Sequence, residues 1–221
     1  LANNYRVKRY LDDARDILFA MRYSPFANYQ GQMAEVYQNI GAFGTGVVFI
    51  DEDVGESIRY RCIPLHETYL TEGPHGTVDA VWRQFRYSGR QAAKRYKDRL
   101  PTRIATSIER HPEMEWDFLH VVMPNDERIP GAAGRKSWAT KSFHVSLDTK
   151  EIVESGGYRV MPYAVGRYMP AGGPYGWGPG PMVLPEFKTL NVIRRTLLRQ
   201  GEMAVDPPLL LPPQATVLTP F

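Results

Sequence analysis

The segment GGPYGWGPGP, residues 172–181, contains five glycines and three prolines and directly precedes a segment with a helical pattern. A glycine-rich loop that opens onto a helix N-terminus often holds phosphate groups, because backbone N–H groups and the helix dipole both favour an anion. This segment is therefore the first candidate for chemistry, as the loop of a nucleotide-binding or other enzyme domain.

The residues that a phosphate-binding loop requires do not accompany these glycines. A Walker loop places a Lys and a Ser or Thr after its last glycine, whereas Gly180 is followed by Pro181, Met182 and Val183. A dinucleotide fingerprint needs free N–H groups, which Pro179 and Pro181 lack. We therefore favour an ordered joint between two parts of the fold over the nucleotide-binding alternative.

The glycines of this joint are expected to let the chain turn sharply from a sheet into a long helix without steric cost. We also expect Tyr175 and Trp177 to pack and hold the angle of the turn. The predicted hinge residues are Gly172, Gly173, Gly176, Gly178 and Gly180.

The other residue types that support catalysis or metal binding are scattered. None of the five histidines is three or four residues from another, so a helical metal site is not expected, and His120 and His144 lie in strand patterns typical of satisfied sheet residues. Cys62 alternates into an apolar strand face, where a thiol is inert. We predict no catalytic residue, no cofactor and no metal.

Two acidic clusters have simpler explanations. Glu113, Glu115 and Asp117 recur at two-residue spacing and predict a charged, solvated strand face. The segment DEDVGE, residues 51–56, resembles half of a calcium loop, but its glycine is one position early and Cys62 occupies the twelfth position. A solvated acidic turn is therefore favoured there.

Composition excludes several classes of protein. The chain has 221 residues, of which 43% are hydrophobic and 23% charged, as in ordinary globular proteins. A net charge of +3 is too small for a protein that wraps nucleic acid by bulk electrostatics. A single Cys precludes an internal disulfide framework and fits a reducing cytoplasm, and no apolar run is long enough to span a membrane. The first residue is not Met, which suggests a piece of a longer protein.

The pattern of apolar residues predicts an α+β fold in three zones. Residues 3–41 are predicted to form two helices, separated at Ser24 and Pro25. Ser24 would cap the second helix and Pro25 would lie in its first turn. Gly41 would end the second helix with a positive φ. Residues 45–168 are rich in strands, with a hairpin around residues 51–56, a short helix capped by Ser88, a small helix over 101–111 and a hairpin at 148–149. Phe143, Val145 and Leu147 share one strand face.

The third zone contains a long amphipathic helix that starts near Pro185. Its apolar residues fall within about 140° of a helical wheel at 100° per residue. Lys188, Arg195 and Arg199 lie together as a basic ridge, away from the centre of the apolar stripe. The ridge is expected to face an acidic neighbouring subunit, DNA phosphates or solvent. After the helix, DPPLLLPP predicts a stiff, extended exit.

Four phrases give the sequence a specific resemblance. They are Phe-Gly-Thr at residues 43–45, IPLHETY at 63–69, Pro-Tyr-x-x-x-Arg at 162–167 and DPPLL at 206–210, and the similar segments around them cover most of the chain. The chain resembles the head-to-tail connecting, or portal, proteins of short-tailed, T7-like bacteriophages.

The resemblance implies a virion protein, assembled in the host cytoplasm, without enzymatic activity or a membrane segment. Such proteins form a dodecameric ring at one capsid vertex, through which double-stranded DNA passes, and they bind the terminase large subunit, capsid or scaffold proteins and tail adaptors. Residues 1–170 would be the wing, 171–206 the joint and first stem helix, and 207–221 the start of the clip. A second stem helix and a crown would follow, so either the chain is a fragment or the match is to a truncated relative.

Overall fold

The computed structural model describes residues 5–53, 57–131 and 134–207. Helices and antiparallel sheets are both present, as the α+β prediction requires. The chain divides into two compact units, Leu1–Gly180 and Pro181–Phe221. No helix in the described part of the chain combines the length and the apolar character needed to cross a bilayer.

Two helices open the first unit, α1 (Tyr5–Arg22) and α2 (Tyr29–Phe43). The prediction that Ser24 caps the second helix is wrong, because its hydroxyl accepts a hydrogen bond from Ala27 N–H (3.2 Å) and closes a turn. Ala27 is fully buried, and its carbonyl accepts a bond from Tyr60 N–H (3.0 Å), which ties the turn to a strand. The helix therefore begins at Tyr29 and not at Pro25.

The end of α2 also differs from the prediction. Gly41 is helical, and the residue with positive φ is Gly44 (φ 86), whose N–H donates to the Ile40 carbonyl (2.9 Å). Both glycines lie in the sequence GAFG, and only Gly44 adopts the left-handed conformation that commonly ends a helix.

A three-stranded antiparallel sheet follows, with strand order β2–β1–β8. Its strands are β1 (Thr45–Asp53), β2 (Ser57–Ile63) and β8 (Tyr163–Arg167). The predicted hairpin is confirmed, because β1 and β2 pair from Val47↔Ile63 to Asp53↔Ser57. Gly55, which the calcium hypothesis needs, lies outside the described residues.

The second sheet has five antiparallel strands in chain order. They are β3 (Thr68–Glu72), β4 (Val78–Ser88), β5 (Glu115–Pro124), β6 (Thr140–Ser146) and β7 (Glu151–Tyr158). Two short helices connect β4 to β5, namely α3 (Gly89–Tyr96) and α4 (Thr102–Arg110). The cap at Ser88 is confirmed as a capping box with Gln91, which satisfies the first N–H groups of α3.

The apolar core lies on both faces of the first sheet and extends under α3 and α4. Val47 packs with Ile63, Val81 and Val122 between the sheets, whereas Val48 turns to the opposite face with Val36 of α2. Adjacent residues of one strand therefore serve two cores, as the alternation of a β-strand requires. Cys62 is buried in the second of these cores, as predicted, and burial raises the pKa of its thiol.

Strand β6 turns a polar face to the interior. Phe143, Val145 and Leu147 do share one side, but they are half-buried or exposed, whereas the opposite side is buried. The buried residues are Thr140, Ser142, His144 and Ser146. Hydrogen bonds to neighbouring side chains and strands allow this inversion.

Two short strands and a long helix form the last part of the described chain. The strands are β9 (Met169–Pro170) and β10 (Gly176–Trp177), and the helix is α5 (Pro179–Val205). The predicted start near Pro185 is too late. Pro179 and Pro181 occupy the first turn, where backbone N–H groups have no partner within the helix, so their missing N–H groups cost nothing there. Pro185 lies inside the helix and removes one of its hydrogen bonds.

Candidate functional site

The glycine-rich segment 172–180 is held in place by the first unit. Gly176 and Trp177 pair with Pro170 and Met169 in the β9–β10 ladder. The N–H of Gly176 donates to Thr45 Oγ1 (2.7 Å), at the start of β1. Because this donor is already used within the fold, the N–H of Gly176 is not available to a phosphate group.

The five predicted hinge glycines occupy different environments. Gly172 has φ +74, which favours glycine, and nothing lies within 4 Å of a Cβ built on it. Gly173 also has open space around it. A Cβ on Gly176, Gly178 or Gly180 would instead fall 2.4–2.7 Å from backbone atoms of Gly44 or Ala42. Three of the five glycines thus permit close contact between chain segments, and one permits a left-handed turn.

Gly44 is the partner of this segment that sequence analysis missed. A Cβ on Gly44 would lie 2.2 Å from the backbone nitrogen of Gly178, and the Gly44 carbonyl accepts a bond from Tyr168 N–H (2.9 Å). The sequence feature that could have pointed to this contact is the Phe-Gly-Thr phrase, because its Gly44 and Thr45 both contact the glycine-rich segment.

A second anchor is the hydroxyl of Tyr175. It accepts a hydrogen bond from Leu70 N–H and donates to the Thr68 carbonyl, each at 3.2 Å. These are backbone groups of β3, the edge strand of the five-stranded sheet. Tyr175 therefore connects the segment to that sheet through its hydroxyl, whereas the side chain of Trp177 stays 52% exposed.

A third anchor is Arg167, the last residue of the Pro-Tyr-x-x-x-Arg phrase. Its guanidinium forms an ion pair with Glu72 and donates to the carbonyls of Gly173 (3.0 Å) and Gly76 (2.6 Å). The side chain is only 16% exposed, so this ion pair is shielded from solvent. Three of the four phrases behind the resemblance thus meet at one place in the fold.

The basic ridge lies on α5. All three residues, Lys188, Arg195 and Arg199, are exposed, and none has an ion-pair partner among the described residues. No residue of α5 is buried within the described chain. The ridge is therefore available to a partner outside this chain.

The two strand histidines form a stacked pair inside the first unit, with ring centroids 4.1 Å apart. His120 bonds to Tyr163 Oη (2.7 Å) and Ser142 Oγ (2.9 Å), and His144 Nδ1 bonds to Tyr96 Oη (2.9 Å). The prediction of satisfied sheet residues is confirmed for His120, which is bonded through both ring nitrogens, whereas His144 is bonded through Nδ1 alone among the described residues. Their contact was not foreseen, because the β5–β6 register that places them opposite each other is a tertiary property.

The environment of this pair disfavours its charged form. Burial, with Arg95 and Arg83, lowers the pKa of His144 to about 3. Burial, with His144, Arg83 and Arg95, also holds the pKa of His120 well below its ordinary value. Both rings are therefore neutral near pH 7.

The remaining acidic candidates are paired with arginines at the surface. Glu115 and Asp117 lie 3.8 and 2.9 Å from Arg86, and Glu113 lies 3.8 Å from Arg90, so the acidic cluster is an ion-paired surface. Within residues 5–53, 57–131 and 134–207, no group of three His, Cys, Asp or Glu side chains is arranged to hold a metal ion.

Comparisons of the sequence with a family model and with curated proteins agree on one family. The model of the family described as bacteriophage head to tail connecting protein matches residues 1–219. The chain is 27% identical over 192 residues to the portal protein of Salmonella phage epsilon15, a match that covers 84% of this chain and 34% of that protein. It is 23% identical over 194 residues to the probable portal protein of Bordetella phage BPP-1, and this match covers 86% of this chain and 35% of that protein.

These matches span about a third of the length of each curated relative. The resemblance inferred from the four phrases is therefore confirmed at the level of the family. Because the family model covers nearly the whole sequence, the chain belongs to the bacteriophage head to tail connecting protein family.

Proposed function

We propose that this chain is part of a phage portal protein that forms a ring at one capsid vertex and conducts double-stranded DNA during packaging and ejection. In this proposal the ring is a dodecamer and a structural component of the virion, assembled in the host cytoplasm, with no enzymatic role. It binds the terminase large subunit, capsid or scaffold proteins and tail adaptor proteins.

The observation that carries the proposal is the exposure of α5. Along its 27 residues no side chain is buried, although the helix is rich in large apolar residues. Phe187, Leu190, Ile193 and Leu197 are each 55–61% exposed. An apolar stripe of this length is typical of a surface that a partner covers.

Helix α1 supports the same conclusion independently. It has no buried residue over 18 positions, and its exposed side chains include Leu11 (59%), Ile17 (60%) and Leu18 (63%). Since a helix in water is stabilised mainly by packing of its apolar face, α1 needs a partner that the described chain does not supply.

Neighbouring copies of the same chain suit both helices. In a ring, one face of a subunit meets a different face of the next, and many modest contacts add up when the rotation closes. We assign the first unit to the wing, α5 to the first stem helix and the segment 172–180 to the joint between them. The proposed start of the clip, residues 207–221, lies outside the described residues apart from Pro207.

The mass of the assembled full-length protein tests this function. Mass photometry and negative-stain microscopy should show closed rings at micromolar concentration. A full-length protein that stays monomeric under these conditions would contradict the proposal.

A pair of variants links the ring to the apolar stripe of α5. L190E/L197E should abolish rings, because carboxylates would be placed in a desolvated contact. T196E is the matched control, since Thr196 is exposed, lies outside the apolar stripe of the helical wheel and should leave rings intact. Equal assembly of the two variants would remove α5 from the contact.

A further inference from the structure

We propose that the cavity between the two sheets of the first unit is a binding site for a small phosphate-bearing anion. The cavity has a volume of about 530 Å³, and its walls come from β1 and β2 on one side and from β4 to β7 and α3 on the other. Small-molecule sites commonly span about 300–1,000 Å³. The site is separate from the glycine-rich segment and does not depend on ring formation.

Arginines dominate the charged lining. Arg59, Arg61, Arg83 and Arg95 face two carboxylates, those of Asp51 and Glu52. Asp51 lies directly across the β1–β2 ladder from Arg59. Arg83 and Arg95 are paired with Glu67 and Glu154, which lie outside the lining, so the cavity offers an anion guanidinium N–H donors rather than a large excess of positive charge.

Arg83 is fixed in position with donor capacity remaining. Its side chain is 6% exposed, and its Nε and Nη2 both donate to Glu67 Oε2 at 2.9 Å. Its guanidinium carbon lies 4.8 Å from the centre of the Phe85 ring. Among the described residues Nη1 has no partner, so one N–H-bearing nitrogen of a rigidly held guanidinium is left for a ligand.

Arg61 is the arginine of the cavity without a counter-ion in the described part of the chain. It is exposed on β2, and no carboxylate there pairs with it. A guanidinium recognises phosphate through two parallel N–H···O bonds. Arg61 is therefore the residue best able to move toward an anion and bind it in this way.

The histidine pair supplies a third donor. Tyr96 is buried, and His144 Nδ1 (2.9 Å) is the hydrogen-bond partner of its hydroxyl in the described part of the chain, so the hydroxyl donates its proton to that nitrogen. The neutral His144 ring then carries its proton on Nε2, which has no partner among the described residues. His144 lines the cavity together with the arginines.

The positive field at the pair agrees with this assignment. Arg83 and Arg95 both lower the pKa of His144, although each is paired with a carboxylate, Glu67 and Glu154 respectively. A bound phosphate would replace solvent as the partner of these donors. The aromatic side chains of Phe49, Tyr87 and Tyr158 also line the cavity and leave room for the organic part of a phosphate ester.

Isothermal titration calorimetry on the whole chain tests the site with three probes at constant ionic strength: inorganic phosphate, pyrophosphate and a nucleoside monophosphate. Saturable binding of either inorganic anion would identify a free phosphate site, whereas binding of the nucleotide alone would identify a phosphate-ester site. Absence of binding by all three would overturn the proposal.

Two arginine variants locate the binding. R61Q should weaken binding about tenfold, because one charge-assisted contact is lost. R103Q removes an exposed arginine that does not line the cavity and should bind with unchanged affinity. R61Q has no ion pair to lose, so it is expected to fold, and a far-ultraviolet circular dichroism spectrum checks this. Equal affinities of R61Q and the unaltered chain would place the anion elsewhere and overturn the assignment.

Discussion

Gly44 and Gly178 touch each other through their backbones. A Cβ on Gly44 would lie 2.2 Å from Gly178 N, and a Cβ on Gly178 would lie 2.4 Å from Gly44 N. The two residues are far apart in sequence, at the end of α2 and just before α5. Their contact holds the glycine-rich segment against the first unit.

Alanine at either position should destabilise the fold. Gly178→Ala is expected to lower the free energy of unfolding by about 1–3 kcal/mol, because the new methyl group meets backbone atoms that cannot rotate away. Gly44→Ala should cost about 1–2 kcal/mol more than that, since Gly44 also has φ +86. Chemical denaturation followed by circular dichroism measures both changes.

Two glycines of the same segment serve as controls. Gly173→Ala should change stability by less than about 0.5 kcal/mol, because nothing lies within 4 Å and its φ is not positive. Gly172→Ala should cost about 1 kcal/mol through its φ of +74 alone. The same loss in all four variants would show that close packing at Gly44 is not the cause.

Removing the Tyr175 hydroxyl should loosen the edge of the five-stranded sheet. Tyr175→Phe leaves Leu70 N–H and the Thr68 carbonyl without their partner, at an expected cost of about 1–2 kcal/mol. Amide hydrogen exchange at Leu70 should accelerate. Tyr168→Phe is the matched control, because Tyr168 is 55% exposed and its hydroxyl has no partner in the described chain. Unchanged exchange at Leu70 in Tyr175→Phe would contradict this role.

The buried histidine pair predicts a loss of stability in mild acid. The pKa values of His120 and His144 are lowered in the folded state, the latter to about 3, so below about pH 6.5 the unfolded chain binds protons that the folded chain excludes. The free energy of unfolding should therefore decrease as the pH is lowered, by about 1.4 kcal/mol per pH unit for each histidine. Denaturation midpoints between about pH 7 and 5 measure this slope, in a range where most carboxylates stay ionised.

A histidine replacement assigns the slope. His144→Gln should reduce it by about half, since one of the two excluded protons is no longer involved. His75→Gln, at an exposed position, should leave it unchanged. A slope that survives in His144→Gln would mean that other groups govern the acid response.

Charge reversal on the basic ridge distinguishes its two possible partners. If Arg195 and Arg199 face an acidic neighbouring subunit, R195E/R199E should weaken ring assembly in mass photometry. If they face DNA, rings should persist while packaging changes, because each neutralised phosphate contributes to affinity. Unchanged assembly together with unchanged packaging would show that the ridge is merely solvated.

The sequence by itself determined the features that depend on local pattern. Alternation of apolar residues predicted the β1–β2 hairpin and the burial of Cys62, and Ser88 was predicted to cap α3. The four phrases were specific enough to identify the family, because no general rule of secondary structure produces them together.

Errors occurred where local signals competed. Ser24 and Pro25 are residue types that often begin a helix, yet Ala27 is buried against β2 and the helix begins at Tyr29. Gly41 and Gly44 are equally plausible helix ends by sequence, and in the structure α2 continues to Phe43 and is capped by Gly44, directly before the ladder between β1 and β8 begins at Thr45. Pro179 and Pro181 were predicted to be loop residues, because a proline can be assigned to the first turn of a helix only when the start of the helix is known.

Only the tertiary structure decided which distant residues meet. The contact of Gly44 with Gly178, the bond from Tyr175 to β3 and the stacking of His120 on His144 all join residues that the sequence keeps apart. Local propensity depends on a few neighbouring residues, whereas these contacts depend on strand register and on the space left by packing. For that reason the glycines could be recognised as a joint from the sequence, but what holds the joint could not.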